Sequence, residues 1–406
     1  NGTLYIDTAT LINLTAYDPE PHPSGVDYTW FEWLLVDDDY CDDPSSFDIG
    51  DFWPYPIESP DLPACTVTVS DGESIQAAID AASPGDVICV EAGTYDENLD
   101  FGGKLDLTVL GPNAEILGYD PRLPEAIIQG TVTVSASNAL DSLVFAGFRI
   151  ESGSSTGINN VRLQSGGIYN NVIRGDWVSG SSPNIRGIST ASSSPVVPQA
   201  WTLQGNDVRG YRFGISLDGN DQLVEAIVRD NYLAENQRGI QSYGGFHAGN
   251  PLILIEENTI VDNDQGIRLA GGKAIIKNNL IADNSEFGIR PGVSGSPLND
   301  LEITKNEITG NFVGLLFDNI PSSSANLVIG YNTIAGNDDG IIADFLVDAT
   351  LNYWGASDGP SGEGPGTGDS VSENVLYEPW LDAPAFGSYA ESFGIPEESC
   401  HVVMYY

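Results

Sequence analysis

Asn258-Thr-Ile-Val-Asp-Asn263-Asp-Gln-Gly266-Ile267 is followed by Asn279-Leu-Ile-Ala-Asp-Asn284-Ser-Glu-Phe-Gly288-Ile289. The same phrase opens earlier at Asn206 and Asn231 and later at Asn306 and Asn332, and it closes on Asn352-Tyr-Trp354-Gly355. The leading asparagines are 25, 27, 21, 27, 26 and 20 residues apart. In most units a second asparagine falls five places after the first: Asn236, Asn263, Asn284, Asn311, Asn337. A period of twenty-odd residues, with short β-branched runs and no helix-length apolar pattern, predicts a β-solenoid. A leucine-rich repeat needs a Leu-x-x-Leu-x-Leu frame, and a propeller blade runs to about 40 residues. Neither frame fits.

Each unit then reads as one coil, with equivalent residues of successive coils stacked about 4.8 Å apart in parallel sheets. Chirality makes the coil right-handed. An inward-turned asparagine at a corner can bond both its own turn and the asparagine above. That satisfies amides whose burial unpaired would cost about 1–3 kcal/mol each. The glycine before Ile or Leu is expected to supply either a left-handed corner or a close-packed one. Ile, Leu and Val point inward as aliphatic columns.

The chain has 406 residues and a formal charge of −43. No Lys or Arg precedes Lys104 and none follows Lys305, so both ends are purely acidic. That excludes nucleic acid and anionic membrane as natural partners, and favours cations or a salty, calcium-rich medium. No apolar run is long enough to span a bilayer. Without an initiator Met or a signal-peptide pattern, the chain is expected to start after processing or as a fragment. Cys41, Cys65, Cys89 and Cys400 are an even number without metal-ligand spacing, which points to two disulfides outside the cytosol. Asn1 and Asn13 head glycosylation triplets.

Leu11–Tyr17 and Tyr28–Val36 read as strands joined by Asp18-Pro-Glu-Pro-His-Pro-Ser-Gly-Val26. This run, with Glu397-Glu-Ser-Cys-His-Val-Val-Met-Tyr-Tyr406 at the other end, resembles an immunoglobulin-like module of archaeal and bacterial surface proteins. The resemblance implies a small β-sandwich made by both termini, with the solenoid inserted between its strands. The expected division is 1–64, 65–385 and 386–406. Asp37-Asp-Asp-Tyr-Cys41-Asp-Asp could hold calcium but lacks the alternating ligand spacing of a defined loop, and reads first as a solvated one.

Cys65–Val69 is a predicted strand, and Ile75, Ala78, Ile79 and Ala82 make one helical face behind cap residues Asp71 and Ser74. Pro84-Gly85-Asp86 ends the helix before strands at Val87–Glu91 and Gly93–Tyr95. The segment resembles the N-terminal end of pectate-lyase-like right-handed β-helices, where such a helix caps the open core. Further coils are expected at Leu105–Gly111, Ala126–Gly130 and Leu143–Ile150, with loop insertions at 151–160 and 176–200. Asn352-Tyr-Trp-Gly-Ala-Ser-Asp-Gly-Pro-Ser-Gly362 resembles the ending of pectate-lyase-like repeat proteins. This layout places Cys65 and Cys89 on neighbouring strands and pairs them, leaving Cys41 with Cys400; a Cys41–Cys65 pairing stays open.

Two columns carry chemistry. Glu235, Asp262 and Asp283, each just before a second asparagine, stack like charges and must be solvated, paired or bridged by a cation such as calcium. Two residues after the corner glycine come Ser216, Gln241, Arg268, Arg290, Leu316 and Ile342, where Arg268 and Arg290 could meet an acidic sugar. Both sets are also what an ordinary charged outer face looks like. His247 sits in a loop, and the chain lacks the Asp-Asp and Gly-His-Gly text of polygalacturonases and the Asp-Pro-His-Asp text of alginate epimerases. Catalysis is the weaker reading, and no cofactor beyond calcium is called for. Because the chain stops in a strand pattern at Val402–Tyr406, an open sheet edge is expected there to recruit a neighbour. The sequence reads first as a cell-surface assembly subunit of a sheath, surface layer or filament that self-associates. The alternative is a calcium-dependent adhesin for cell-surface glycan, or a polysaccharide lyase or hydrolase.

Overall fold

The computed structural model describes residues 63–384 apart from 103, 105, 135–139, 179–183, 191–198, 219–222, 244–251, 271, 293–297 and 319–325, together with five short strands in the terminal segments. Chain contacts divide it into two units, Leu62–Phe386 and the combined segments Asn1–Asp61 and Gly387–Tyr406.

The larger unit is a right-handed parallel β-helix. One coil shows the plan: Leu252–Glu256 lies in a first sheet, Thr259–Val261 in a second and Gln265–Leu269 in a third. The next coil repeats it with Gly272–Lys277, Leu280–Ala282 and Phe287–Pro291, each paired in parallel with its counterpart. Register makes the core. Leu233, Ile260, Ile281, Ile308 and Ile334 stack in the second sheet, and Ile215, Ile240, Ile267, Ile289, Leu315 and Ile341 in the third, all with no exposure. Each such side chain contributes about 1.5–3 kcal/mol relative to exposure.

The corners are held by asparagines. Between first and second sheets, Nδ2 of Asn206, Asn231, Asn258, Asn279, Asn306 and Asn332 each donates to Oδ1 of the next asparagine at 2.9–3.0 Å, ending at Asn352. Asn171 adds a rung one coil earlier than the repeat suggested. Between second and third sheets the ladder runs Asn236, Asn263, Asn284, Asn311, Asn337 and ends on the Asp369 carboxylate.

The corner glycines work differently from one of the two expectations. Gly266 and Gly288 do not have positive φ; they are needed for closeness, since a Cβ on Gly266 would meet the Gly288 carbonyl oxygen at 2.4 Å. The left-handed residue is instead the one before each ladder asparagine: Asp230, Glu257, Asn278, Lys305, Tyr331 and Leu351 at the first corner, Glu235, Asp262 and Asp283 at the second.

The helix Ile75–Ala81 buries Ile75 and Ile79 in the end of the core. Ser74 caps it by accepting from Ala77 N, as expected, but the second cap is not Asp71. Glu97, from the following coil, accepts from the backbone of Ile75 (2.7 Å) and Gln76 (3.2 Å), satisfying two of the helix's orphan donors. Cys65 and Cys89 are disulfide-bonded, with Cα atoms 5.6 Å apart. The coil read at Leu143–Ile150 holds two strands, Leu140–Ala146 and Arg149–Gly153, that turn at left-handed Gly147. Two expected segments differ. Residues 151–160 are not a loop insertion, because strands end at Gly153 and resume at Ile158–Val161. The 176–200 stretch likewise contains the strand Arg186–Thr190. At the far end Trp354 is fully buried in the core.

In the smaller unit, His401–Tyr405 pairs antiparallel with Leu4–Ile6 on one side and with Phe31–Leu35 on the other, and Ile12–Asn13 pairs with Ser392–Phe393. The C-terminal strand is therefore central, not the open edge expected of it. Residues 18–26 and 397–400, which carry the immunoglobulin-like resemblance, lie outside the described residues, as do Asn1, Cys41 and Cys400.

Candidate functional site

Outward residues of the third sheet line up as the repeat implied. Ser189, Ser216, Gln241, Arg268 and Arg290 are in-register partners on five successive strands. Arg268 and Arg290 are direct neighbours, so two guanidinium stems leave the sheet one strand spacing apart, about 4.8 Å. Arg290 is fixed by a two-point ion pair with Asp318 at 2.7 and 2.6 Å, and its guanidinium lies 5.8 Å from the Phe287 ring centre. Arg238, three residues before Gln241 on the same strand, donates to Gln241 Oε1 (3.0 Å) and Gln265 Oε1 (2.7 Å). The Arg212 and Arg238 guanidiniums both lie over the Phe213 ring, 5.2 and 5.1 Å from its centre. A guanidinium over an aromatic ring keeps its N–H edge for in-plane hydrogen bonding, and here that edge meets Asp318 in Arg290 and Gln241 and Gln265 in Arg238. The Ser216 hydroxyl in the same column is buried and has no hydrogen-bond partner.

Glu235, Asp262 and Asp283 form a column for a backbone reason. Their φ values are 58°, 54° and 53°, and the column continues as Gly310 and Gly336, with φ of 66° and 75°. Asp tolerates this region better than most residues, and Gly best. Glu235 is 3.7 Å from Arg209. Among the described residues no group of three or more His, Cys, Asp and Glu side chains is placed to hold a metal ion. His247 lies outside the described residues.

The sequence reading missed a cleft of about 630 Å³ on the second sheet, lined among others by Arg149, Glu151, Arg174 and Asp176. Beside it the nearly buried Asp207 carboxylate bridges two arginines, receiving Arg174 at 2.5 Å and Arg209 at 2.8 Å. One signal was present. Five places after Asn206, where the later units have asparagine, stands Tyr211.

Residues 187–319 match the family model for the right-handed β-helix region. No curated protein sequence matches the chain. Among solved structures the chain is similar to the A-module of a mannuronan C-5 epimerase from Azotobacter vinelandii, at 17% identity and a TM-score of 0.44, over 76% of this chain and 93% of that one. No helix among the described residues is long and apolar enough to cross a membrane.

Proposed function

We propose that this protein is a non-catalytic binder of carboxylate-bearing glycan, which it reads on the outer face of the third sheet. One observation carries the reading: Arg268 and Arg290 stand in register on adjacent strands, continuing a polar column that holds an unsatisfied buried hydroxyl at Ser216. Arginine recognises carboxylates through paired charge-assisted bonds. The chain's charge of −43 does not forbid this. At physiological salt, charges beyond about 8 Å are screened while a direct contact is not. An extracellular setting belongs to the same reading and is supported by the Cys65–Cys89 disulfide. The Asp318 carboxylate beside the arginines is committed to Arg290, which favours binding over acid–base work. Assembly through the C-terminus loses its starting premise, because both edges of His401–Tyr405 are occupied.

The test is equilibrium binding of the whole chain to oligouronates and to neutral oligosaccharides of equal length, with calcium and with chelator. Uronate binding is expected to weaken at least about tenfold in Arg268→Ala/Arg290→Ala, an affinity change of about 1.4 kcal/mol or more. Equal affinity for neutral and acidic chains, or binding untouched by the double variant, would sink the proposal. Chain cleavage or epimerisation would replace it with an enzymatic one.

A further inference from the structure

The second asparagine ladder does not run the length of the solenoid. Its first rung, Asn236, accepts from the backbone of Tyr211, and there the ladder stops. Tyr211 occupies the next asparagine position and is fully buried. Its ring fills the space above Gly175 and Gly187; a Cβ on Gly175 would meet its Cε1 at 2.6 Å. Its hydroxyl reaches Ser152 Oγ at 2.7 Å, two coils away, while Ser152 Oγ donates to Ser155 O at 3.0 Å. The tyrosine O–H is therefore the donor of the pair, consistent with burial pushing its acidity well below that of an exposed tyrosine. One aromatic residue thus replaces two rungs, and glycines make room for it.

The corner outside this plug is the 630 Å³ cleft. Ser152 lies at its rim, and its charged groups are balanced: Arg149 and Arg174 against Glu151 and Asp176. Arg174 is pinned from behind by Asp207. Arg149 bonds Glu151 through Nε alone, at 2.7 Å. Among the described residues its two terminal nitrogens, the second Glu151 oxygen and the whole Asp176 carboxylate are left without hydrogen-bond partners. Where a repeat departs from its own rule and leaves directed donors and acceptors around a concave space, a binding function is the economical cause.

We propose that this cleft is a second site, taking a short, uncharged, hydroxyl-rich sugar segment. Donors and acceptors alternate around it with no net charge, which suits vicinal hydroxyls: each pair can donate to a carboxylate and accept from a guanidinium. A carboxylated sugar would meet Glu151 and Asp176 as like charges, so the two sites select different chemistry. The cleft shares no residue with the third-sheet arginines, and either site can fail without the other.

The whole chain is titrated by calorimetry with cellotetraose, mannotetraose and maltotetraose, and with tetramannuronate as the acidic counterpart. At least one neutral sugar is expected to bind, and to weaken about tenfold or more in both Glu151→Gln and Asp176→Asn. The Arg268→Ala/Arg290→Ala variant keeps that binding. Both cleft substitutions alter exposed or half-exposed groups, and an unchanged melting temperature separates lost binding from lost fold. The proposal is overturned if no neutral sugar binds at millimolar concentration, if neutral binding survives both cleft variants, or if it disappears only with the arginine pair.

Discussion

Asn279 shows what one side chain does for a stacked coil. Its Nδ2 donates to Ile255 O, Lys277 O and Asn306 Oδ1, each at 2.9 Å. Its Oδ1 accepts from the backbone and side-chain nitrogens of Asn258, at 2.9 and 3.0 Å. Only an amide of this length can donate downward and accept from above at once, which is why the position repeats in the sequence. Asn279→Ala orphans buried groups in three coils and is expected to cost about 2–4 kcal/mol, seen as a lowered midpoint in denaturant unfolding. Asn279→Asp should cost more at neutral pH, because a carboxylate there faces two carbonyl oxygens and a third acceptor. Asp369 marks the contrast. At the ladder's end it meets only donors, Gly336 N, Asn337 N and Asn337 Nδ2, at 2.7–2.9 Å. An aspartate at 279 no worse than alanine would show that ladder polarity is not what holds the corner.

At the scale of the corner, the sequence announces the ladder but not the bend. Asparagine is the same in every coil because its bonding is. The left-handed residue before it changes identity, through Asp230, Glu257, Asn278, Lys305, Tyr331 and Leu351, so no residue type marks it. The strain is instead held by the coils stacked on either side. Arg268 and Arg290 were legible because they sit inside the repeat; the Arg149–Asp176 cleft was not, because it lies where Tyr211 breaks it. Variation at the bend also has an energetic consequence. Asp230 and Glu257 are consecutive bend residues, and both carboxyls are raised above their ordinary range, chiefly by burial, with Glu257 raised further by Asp230. A raised carboxyl stabilises the fold most below its unfolded value, and that contribution fades as pH climbs through the folded one. Asp230→Asn keeps an acceptor for Gln204 and removes the repulsion, so its melting temperature should exceed the native one at pH 7. The gain should vanish near pH 4. A gain that is the same at both pH values, or none at pH 7, would show that the charge at this bend is harmless.

Apart from the Tyr211–Ser152 bond across two coils, the strands of each coil pair with those of its neighbours, so stability is close to a sum of coil and interface contributions. Local damage should then stay local. The Cys65–Cys89 bond joins the strands Val67–Val69 and Val87–Val90 at the helix-capped end, closing a loop of sequence separation 24. A crosslink of that span contributes about 3 kcal/mol by restricting the unfolded chain. The first coil also depends on the helix, whose N-terminus is held by Glu97 from the next turn, so loosening one loosens the other. In Cys65→Ser/Cys89→Ser, amide exchange should accelerate through residues 66–95. The amides of 258–290, seven to nine strands from the capped end and held by aliphatic columns and two ladders, should exchange as before. The cost is then paid at one end, as fraying. Equal acceleration along every coil would mean that the solenoid opens as one cooperative body, and that its nearest-neighbour packing is too stiff for any coil to open alone.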